Sequence, residues 1–251
     1  MTERQQRLCV LLGFSFAPLF AIGFWAVAGF IPPPRPSMDA TAIAHMFAEK
    51  RNRIRIGIWI TTAAAPLLAF YVAAVTYQVR RIAGPGSPLA SAQTIAGSCL
   101  ILEFIFPQLL WQTAAYRPER RAELVQMLND VAWLIYVGVV GTAMVQMAIV
   151  AIAVLQDRRR EPLLPRWTAY LSAWCAIGVS GGSVVVFTKE GPLAWNGLIA
   201  WYLLCVSFFA WMVTMTWGMH RASRRADAAG LGEMVSADAQ RLTPGTSFSG
   251  A

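Results

Sequence analysis

The stretch that decides the fold is residues 131–155, VAWLIYVGVVGTAMVQMAIVAIAVL, in which no Asp, Glu, Lys or Arg occurs. At about 1.5 Å of rise per residue, a helix of this length crosses the roughly 30 Å of hydrocarbon in a bilayer. A chain inside hydrocarbon must satisfy its backbone hydrogen bonds internally, and the stretch lacks the alternating pattern of a barrel strand. It therefore predicts a transmembrane α-helix.

Five more apolar blocks of similar length occur in the chain, separated by short clusters of charge. We predict an all-α polytopic membrane bundle with six transmembrane helices, occupying residues 1–220. The predicted spans are residues 8–31, 56–79, 92–115, 131–155, 168–187 and 195–219.

An alternative for the first block is a signal peptide, because Ala26-Val27-Ala28 imitates a cleavage site. The block runs from Leu8 to Ile31, however, which is longer than the usual hydrophobic region of about 7 to 15 residues. We interpret it as a retained first span.

The composition is that of a membrane protein in contact with lipid, and it excludes a nucleic-acid-binding chain. Hydrophobic residues make up 57% of the 251 residues and charged residues 14%, against roughly 25% charged in a soluble domain. The net charge of +8 lies in loops, where Lys and Arg mark the cytoplasmic side and contact anionic headgroups. Twelve lie on the side of the termini and nine on the other side, mostly in loop clusters such as Lys50 to Arg55. We therefore predict a multi-pass membrane protein with both termini in the cytoplasm.

The sequence predicts no cofactor and no metal. Its two histidines, His45 and His220, fall on opposite sides of the membrane, and no C-x-x-C, nucleotide-binding or H-E-x-x-H motif is present. Four cysteines lie inside predicted spans and are interpreted as packing residues. They are Cys9, Cys99, Cys175 and Cys205.

Two short amphipathic helices are predicted on the outer side, opposite the termini. In residues 39–51, Ile43 and Phe47 share one apolar face, and in the third loop Leu124 and Met127 do the same. Such helices cap the bundle. Residues 221–251 turn to Ala, Gly, Ser and Asp without periodicity, and we expect a disordered tail.

One acidic residue lies deep in a predicted span. Glu103 is near the centre of residues 92–115, where an ionised carboxylate costs at least about 2.5 kcal/mol. We predict that Glu103 is protonated at neutral pH and hydrogen-bonded to Gln146, which matches it in depth, or to Tyr71. Pro107 adds to this site, because a proline removes the hydrogen bond to the carbonyl four residues earlier, here that of Glu103. These four residues are the predicted ligand-binding or proton-linked group; the alternative is that Glu103 only joins two helices.

Several helices are weakened at similar depth. Pro18 and Pro66 lie near the midplane of their spans, and Gly and Ser cluster within residues 178–183. Weakened helices at one depth suit a cavity or gate, although small residues also allow close helix packing, which we favour for residues 178–183.

Tryptophans concentrate toward the outer boundary. We interpret them as an aromatic belt at the headgroups, with a pocket lining as the alternative. The members considered for a pocket are Trp59, Trp111, Trp133 and Trp195.

The first part of the chain resembles the opening half of small six-span bacterial membrane proteins grouped as a domain of unknown function. The features that carry the resemblance are residues 39–42 (DATA), residues 53–57 (RIRIG) and a second span closed by Arg80-Arg81. The resemblance covers about the first three spans. It implies a six-helix bundle in a bacterial inner membrane and carries no activity or catalytic residues.

These observations support three hypotheses. The first is a protein that binds or transports a small apolar or amphipathic molecule, with the outer helices as a lid and Glu103 as a proton-linked group. The second is a non-catalytic subunit or assembly factor that contacts other membrane subunits or a second copy of itself. An intramembrane enzyme is the third, and no nucleophile with a positioned base supports it.

Overall fold

The computed structural model describes residues 3–242, with side chains for residues 4–224. No β-strand occurs in this part of the chain, and six helices are long and apolar enough to cross a membrane. The all-α bundle and the number of spans predicted from the sequence are confirmed. Spans 1 to 6 are Arg4–Val27, Arg51–Ala83, Pro88–Tyr116, Ala122–Gln156, Arg166–Phe187 and Leu198–Arg224.

Ten α-helices build these spans and one loop. They are α1 (Glu3–Phe14), α2 (Phe16–Phe20), α3 (Ala40–Glu49), α4 (Arg51–Ala64), α5 (Leu68–Ala83), α6 (Pro88–Tyr116), α7 (Ala122–Gly138), α8 (Gly141–Gln156), α9 (Arg166–Ser180) and α10 (Leu204–Leu242).

Four spans contain irregular helix. Span 1 ends in a π-helical segment, Ala21–Val27, and span 6 begins with another, Leu198–Leu203. A 3₁₀ turn, Ala65–Leu67, joins α4 to α5 at Pro66, and the 3₁₀ segment Gly181–Phe187 completes span 5. The prediction of weakened helices is therefore confirmed for spans 1, 2 and 5. In span 3, by contrast, α6 continues through Pro107.

The first loop contains the predicted amphipathic helix, α3. Asp39 caps its first turn, since its Oδ1 accepts a hydrogen bond from the Ala42 N–H at 2.8 Å. Ile43 and Phe47 are buried and α3 packs against α7. We call this end of the bundle the α3 side, and the opposite end the termini side.

The prediction of a second, separate amphipathic helix in the third loop is wrong. Residues 122–138 form one continuous helix, α7, which belongs to span 4, because no Pro or Gly interrupts them before Gly138. Leu124 and Met127 are exposed, while Val125 and Asn129 face the protein instead.

Two arginines of the basic cluster on the α3 side have a structural role. Arg51 donates hydrogen bonds to the carbonyls of Ala115 and Tyr116, at the end of α6. Arg53 does the same for Ala26 and Val27, at the end of span 1. Cations and donors at a helix C-terminus satisfy its free carbonyls and its dipole. The start of span 2 thus holds the ends of its two neighbours.

The last helix extends beyond the predicted end of span 6. Ala222 and Ser223 are buried, and α10 continues to Leu242 through residues expected to be disordered. Alanine, which is frequent here, is the strongest helix former. Residues 243–251 of the predicted tail lie outside the described residues.

The interior differs between the two ends of the bundle. Toward the α3 side it is filled by aromatic rings in mutual contact, and we call this region the aromatic half. Its largest members are Phe24, Phe30, Trp111, Trp133 and Trp201, all almost fully buried. Toward the termini side, spans are joined by hydrogen bonds between buried side chains and neighbouring spans, and we call this region the hydrogen-bonded half. Its donors are Gln6, Tyr71, Gln93 and Trp211.

Candidate functional site

Glu103 lies at the middle of α6, where the two halves meet. Its carboxyl group is hydrogen-bonded to Thr142, whose Oγ1 lies 2.7 Å from both carboxyl oxygens. Because Pro107 has no N–H, the main-chain carbonyl of Glu103 also lacks its usual helical partner. A carboxyl group and a free carbonyl of the same residue therefore lie together at mid-membrane depth.

The prediction that Gln146 is the hydrogen-bond partner of Glu103 is wrong. The Gln146 Oε1 accepts a hydrogen bond from Gln93 Nε2 at 3.0 Å, on the termini side of Thr142. Tyr71, the second candidate, is also engaged elsewhere, since its hydroxyl donates to the carbonyl of Met212 at 2.7 Å and joins α5 to α10. Both residues join spans within the hydrogen-bonded half.

Span 4 is broken beside Glu103. α7 ends at Gly138 and α8 begins at Gly141. Between them, Val139 adopts φ −89° and ψ 75°, and the Val140 N–H bonds to the carbonyl of Gly138 at 3.1 Å. This is the geometry of an inverse γ-turn. Irregular backbone at this depth is tolerated where it lines a cavity or is buried in protein.

The break turns the N-terminus of α8 toward the carboxyl group. Thr142 is the second residue of α8, and the first N–H groups of a helix have no acceptor within it. Their aligned dipoles favour a negative charge nearby by about 0.3–1 kcal/mol, or more in a partly buried site. The α8 terminus and the Thr142 hydroxyl therefore stabilise the ionised form of Glu103 relative to a carboxylate in hydrocarbon.

A cavity of about 50 Å³ adjoins Glu103 between spans 1, 3, 4, 5 and 6. Among the side chains of residues 4–224, Glu103 is the only Asp, Glu, Lys, Arg or His that lines it. Val139, at the helix break, also lines the cavity and is 46% exposed. Val139 is therefore part of both the cavity wall and the exposed surface of the bundle, at the break in span 4.

Aromatic rings form much of the cavity wall, and neighbouring rings are in contact. Phe104 of α6 and Phe208 of α10 face each other across the space between their helices, with ring centroids 5.8 Å apart. Tyr136 of α7 lies 5.5 Å from Phe104 and 6.0 Å from Trp201. Its hydroxyl has no hydrogen-bond partner among the described side chains or backbone, so the ring lines the cavity with a free polar group.

The outer tryptophans divide into two groups. Trp111, Trp133 and Trp195 are buried, so the aromatic-belt interpretation is wrong for these three. Trp59, in contrast, is 66% exposed on span 2, as a belt residue should be. The buried rings extend the aromatic half away from the cavity, and Trp195 is anchored by its Nε1, which donates to the Pro34 carbonyl at 2.8 Å.

Sequence reasoning missed Thr142 and the break in span 4. Gly138-Val139-Val140-Gly141 is the local signal, since glycine weakens a helix on either side of two β-branched residues. The pattern was hidden because all four residues are compatible with an apolar span.

No protein-family model, curated protein or solved structure matches this chain.

Proposed function

We propose that this protein binds or transports a small apolar or amphipathic molecule, and that Glu103 is the proton-linked group. The observation that supports this most is a single carboxyl group lining an otherwise apolar cavity at the middle of the membrane. Ionisable residues at this depth are costly and are typical of ligand or proton pathways. The chain then acts as a binding or transport protein rather than an enzyme.

The path to the cavity is lateral. Val139 is exposed at membrane depth and also lines the cavity, so the proposed opening lies beside it, and a molecule dissolved in the bilayer enters there without crossing the α3 side. On that side, α3 and Trp195 cover the bundle, consistent with a lid. The cavity holds only a few heavy atoms in its present form, so part of a larger ligand stays among the lipid chains.

Proton linkage depends on few groups. α6 packs mainly against α4, α5, α7 and α8, and α8 has no titratable side chain. The other titratable residues lining the cavity are Tyr136 and Cys205, whose types ordinarily titrate above pH 8. The arginines of α4 and α5 and Glu123 of α7 lie near the membrane ends of those helices, and Asp130, at the middle of α7, does not line the cavity. Among the described residues, Glu103 is therefore the one acidic or basic group of the cavity that is available for proton linkage.

The cavity itself is tested with 1-octanol as the probe. Titration calorimetry on the full chain in lipid nanodiscs, corrected for protein-free nanodiscs, gives its affinity. Ala143 lines the cavity, so Ala143→Phe fills it, and we expect binding to fall at least tenfold. Ala173→Phe, on the exposed face of span 5, is the matched control and should leave binding unchanged. Equal binding by all three proteins would overturn the assignment.

Glu103→Gln tests the proton linkage. A protonated carboxyl donates a hydrogen bond to the alcohol, whereas an ionised one attracts water and disfavours an apolar ligand. Octanol should therefore bind wild-type protein more tightly at pH 5 than at pH 8, and Glu103→Gln should remove this difference. Glu119→Gln, in an exposed loop, should retain it. A pH dependence that survives Glu103→Gln would exclude Glu103 as the linked group.

We also propose the bacterial inner membrane as the location, with both termini cytoplasmic. Two arginines on the α3 side, Arg51 and Arg53, are bound to helix ends, so their positions follow from packing. Arg159 on the termini side likewise binds the carbonyl of Arg81, so setting all three aside leaves seven basic residues on the α3 side against eleven on the termini side. The positive-inside rule then favours the same orientation more strongly. The resemblance to small six-span bacterial proteins stays a proposal of the same kind.

A subunit or assembly role is the second candidate, and one surface favours it. Between α5 and α6 a groove of about 390 Å³ faces the lipid. Its walls contain exposed small residues four apart on each helix, the spacing at which membrane helices pack closely. They are Ala69 and Ala73 on α5, and Thr94 and Ser98 on α6.

Mild-detergent purification tests this role. If a helix of a partner or of a second copy occupies the groove, Ser98→Leu should release it. Ile95→Leu, at a neighbouring exposed position, is the control and should leave it bound. Light scattering would report the change in mass. A stable monomer for wild type argues against the subunit role.

A further inference from the structure

We infer that the ligand of the Glu103 cavity is a lipophilic cation, an amphipathic amine whose charged head enters the cavity while its apolar chain stays in the lateral opening. This inference rests on the proposed function. It adds the chemical class of the ligand.

The first step is charge. Within the described side chains, no Lys, Arg or His lines the cavity to neutralise an ionised Glu103. The α8 terminus supplies about half a positive charge at most, and Thr142 supplies one hydroxyl. A cationic ligand provides the missing counter-charge, in surroundings where a charge pair is stronger than in water.

The second step is the aromatic wall. Cations bind over aromatic faces within about 6 Å of the ring centre, and desolvation strengthens the contact. Six rings surround the space that the carboxyl group borders, and this combination suits an ammonium head. The rings are those of Phe20, Phe104, Tyr136, Trp201, Phe208 and Phe209.

The third step is size and access. A cavity of about 50 Å³ has room for a head group and not for a drug-sized molecule. The opening beside Val139 leads into the hydrocarbon, so an alkyl chain attached to the head remains in lipid. A proton and the cation compete for the same carboxylate, and binding to the protonated protein releases one proton.

Octylammonium and 1-octanol form a matched pair of probes, because they share a chain and differ in the charge of the head. In nanodiscs at pH 8, we expect octylammonium to bind wild-type protein at least tenfold more tightly than octanol. The preference should disappear at pH 5, where the proton occupies Glu103, so the two probes have opposite pH trends. Glu103→Gln should abolish the preference at both pH values, and Glu119→Gln should retain it.

The outcomes separate this inference from the proposed function. Octanol binding as tightly as octylammonium at pH 8, or a preference for the amine that survives Glu103→Gln, would overturn the cation and leave the apolar cavity standing. Binding of neither probe above protein-free nanodiscs would overturn both. If Glu103→Gln fails to fold, the change in preference between pH 5 and pH 8 in wild-type protein decides the question.

Discussion

The spans are joined by different side-chain contacts in the aromatic half and in the hydrogen-bonded half. In the aromatic half, rings from spans 1, 3, 4 and 6 meet, as where Trp133 contacts Trp111 at 5.0 Å and Trp201 at 5.4 Å. In the hydrogen-bonded half, pairs such as Gln93–Gln146 and Trp211–Ser172 connect spans at 3.0 and 3.1 Å. Hydrogen bonds fix distance and angle, whereas ring contacts tolerate several geometries.

Backbone regularity follows the same division. The two π-helical segments, Ala21–Val27 and Leu198–Leu203, lie in the aromatic half, as does the 3₁₀ segment Gly181–Phe187. The helices of the hydrogen-bonded half are regular, and the break in span 4 lies at the boundary, as does the 3₁₀ turn Ala65–Leu67 at the middle of span 2. π-helical turns are frequent at functional sites, and these two segments lie in the half of the bundle that contributes most of the cavity's aromatic wall.

Removing the centre of the aromatic half should have the largest effect on stability. Trp133 is fully buried and contacts six other rings. Lipid is as apolar as the interior, so the loss on Trp133→Ala comes from packing contacts and the cavity left behind. We expect the free energy of unfolding, measured by SDS titration in mixed micelles, to fall by about 3 kcal/mol.

Trp59→Ala is the control for that experiment, because the Trp59 ring faces lipid. It should lower the free energy of unfolding by less than about 0.5 kcal/mol. Similar losses for the two variants would mean that the aromatic half is not a packed core.

The Gln93–Gln146 pair tests the other half. Gln146→Leu leaves the Gln93 amide buried without its partner, and we expect a loss of about 1–2 kcal/mol in the same titration. The double variant Gln93→Leu/Gln146→Leu removes both polar groups and should regain most of that loss. Two single losses that simply add in the double variant would show that the pair is not coupled.

The sequence was sufficient for the spans and for α3. Blocks such as residues 131–155 are long and free of charge, and Asp39 precedes an apolar face at helical spacing. Both signals depend only on the local sequence, so they can be recognised without knowing which segments pack together. The π-helical segments were not predictable, since their residues are as apolar as those of a regular helix.

The partner of Glu103 was missed for a geometric reason. The sequence placed span 4 at residues 131–155, with its centre at Ala143, and Gln146 near it. The span begins at Ala122, which moves its centre to Val139 and brings Thr142 to the level of Glu103. Depth along one span depends on where the span begins. Predicting which residues on two spans form a pair therefore requires knowledge of the tertiary arrangement.

The smallest effect expected concerns two tyrosines on either side of the boundary. Tyr71 donates a hydrogen bond to the Met212 carbonyl in the hydrogen-bonded half, whereas the Tyr136 hydroxyl at the cavity has no partner among the described residues. Tyr71→Phe should lower the free energy of unfolding by about 0.6 kcal/mol, the average for such bonds between membrane helices. Tyr136→Phe should leave it unchanged, because the hydroxyl that it removes forms no hydrogen bond with the described residues. A loss for Tyr136→Phe equal to that for Tyr71→Phe would mean that hydrogen bonds stabilise both halves, and the contrast between ring packing and hydrogen bonding would then fail at the cavity.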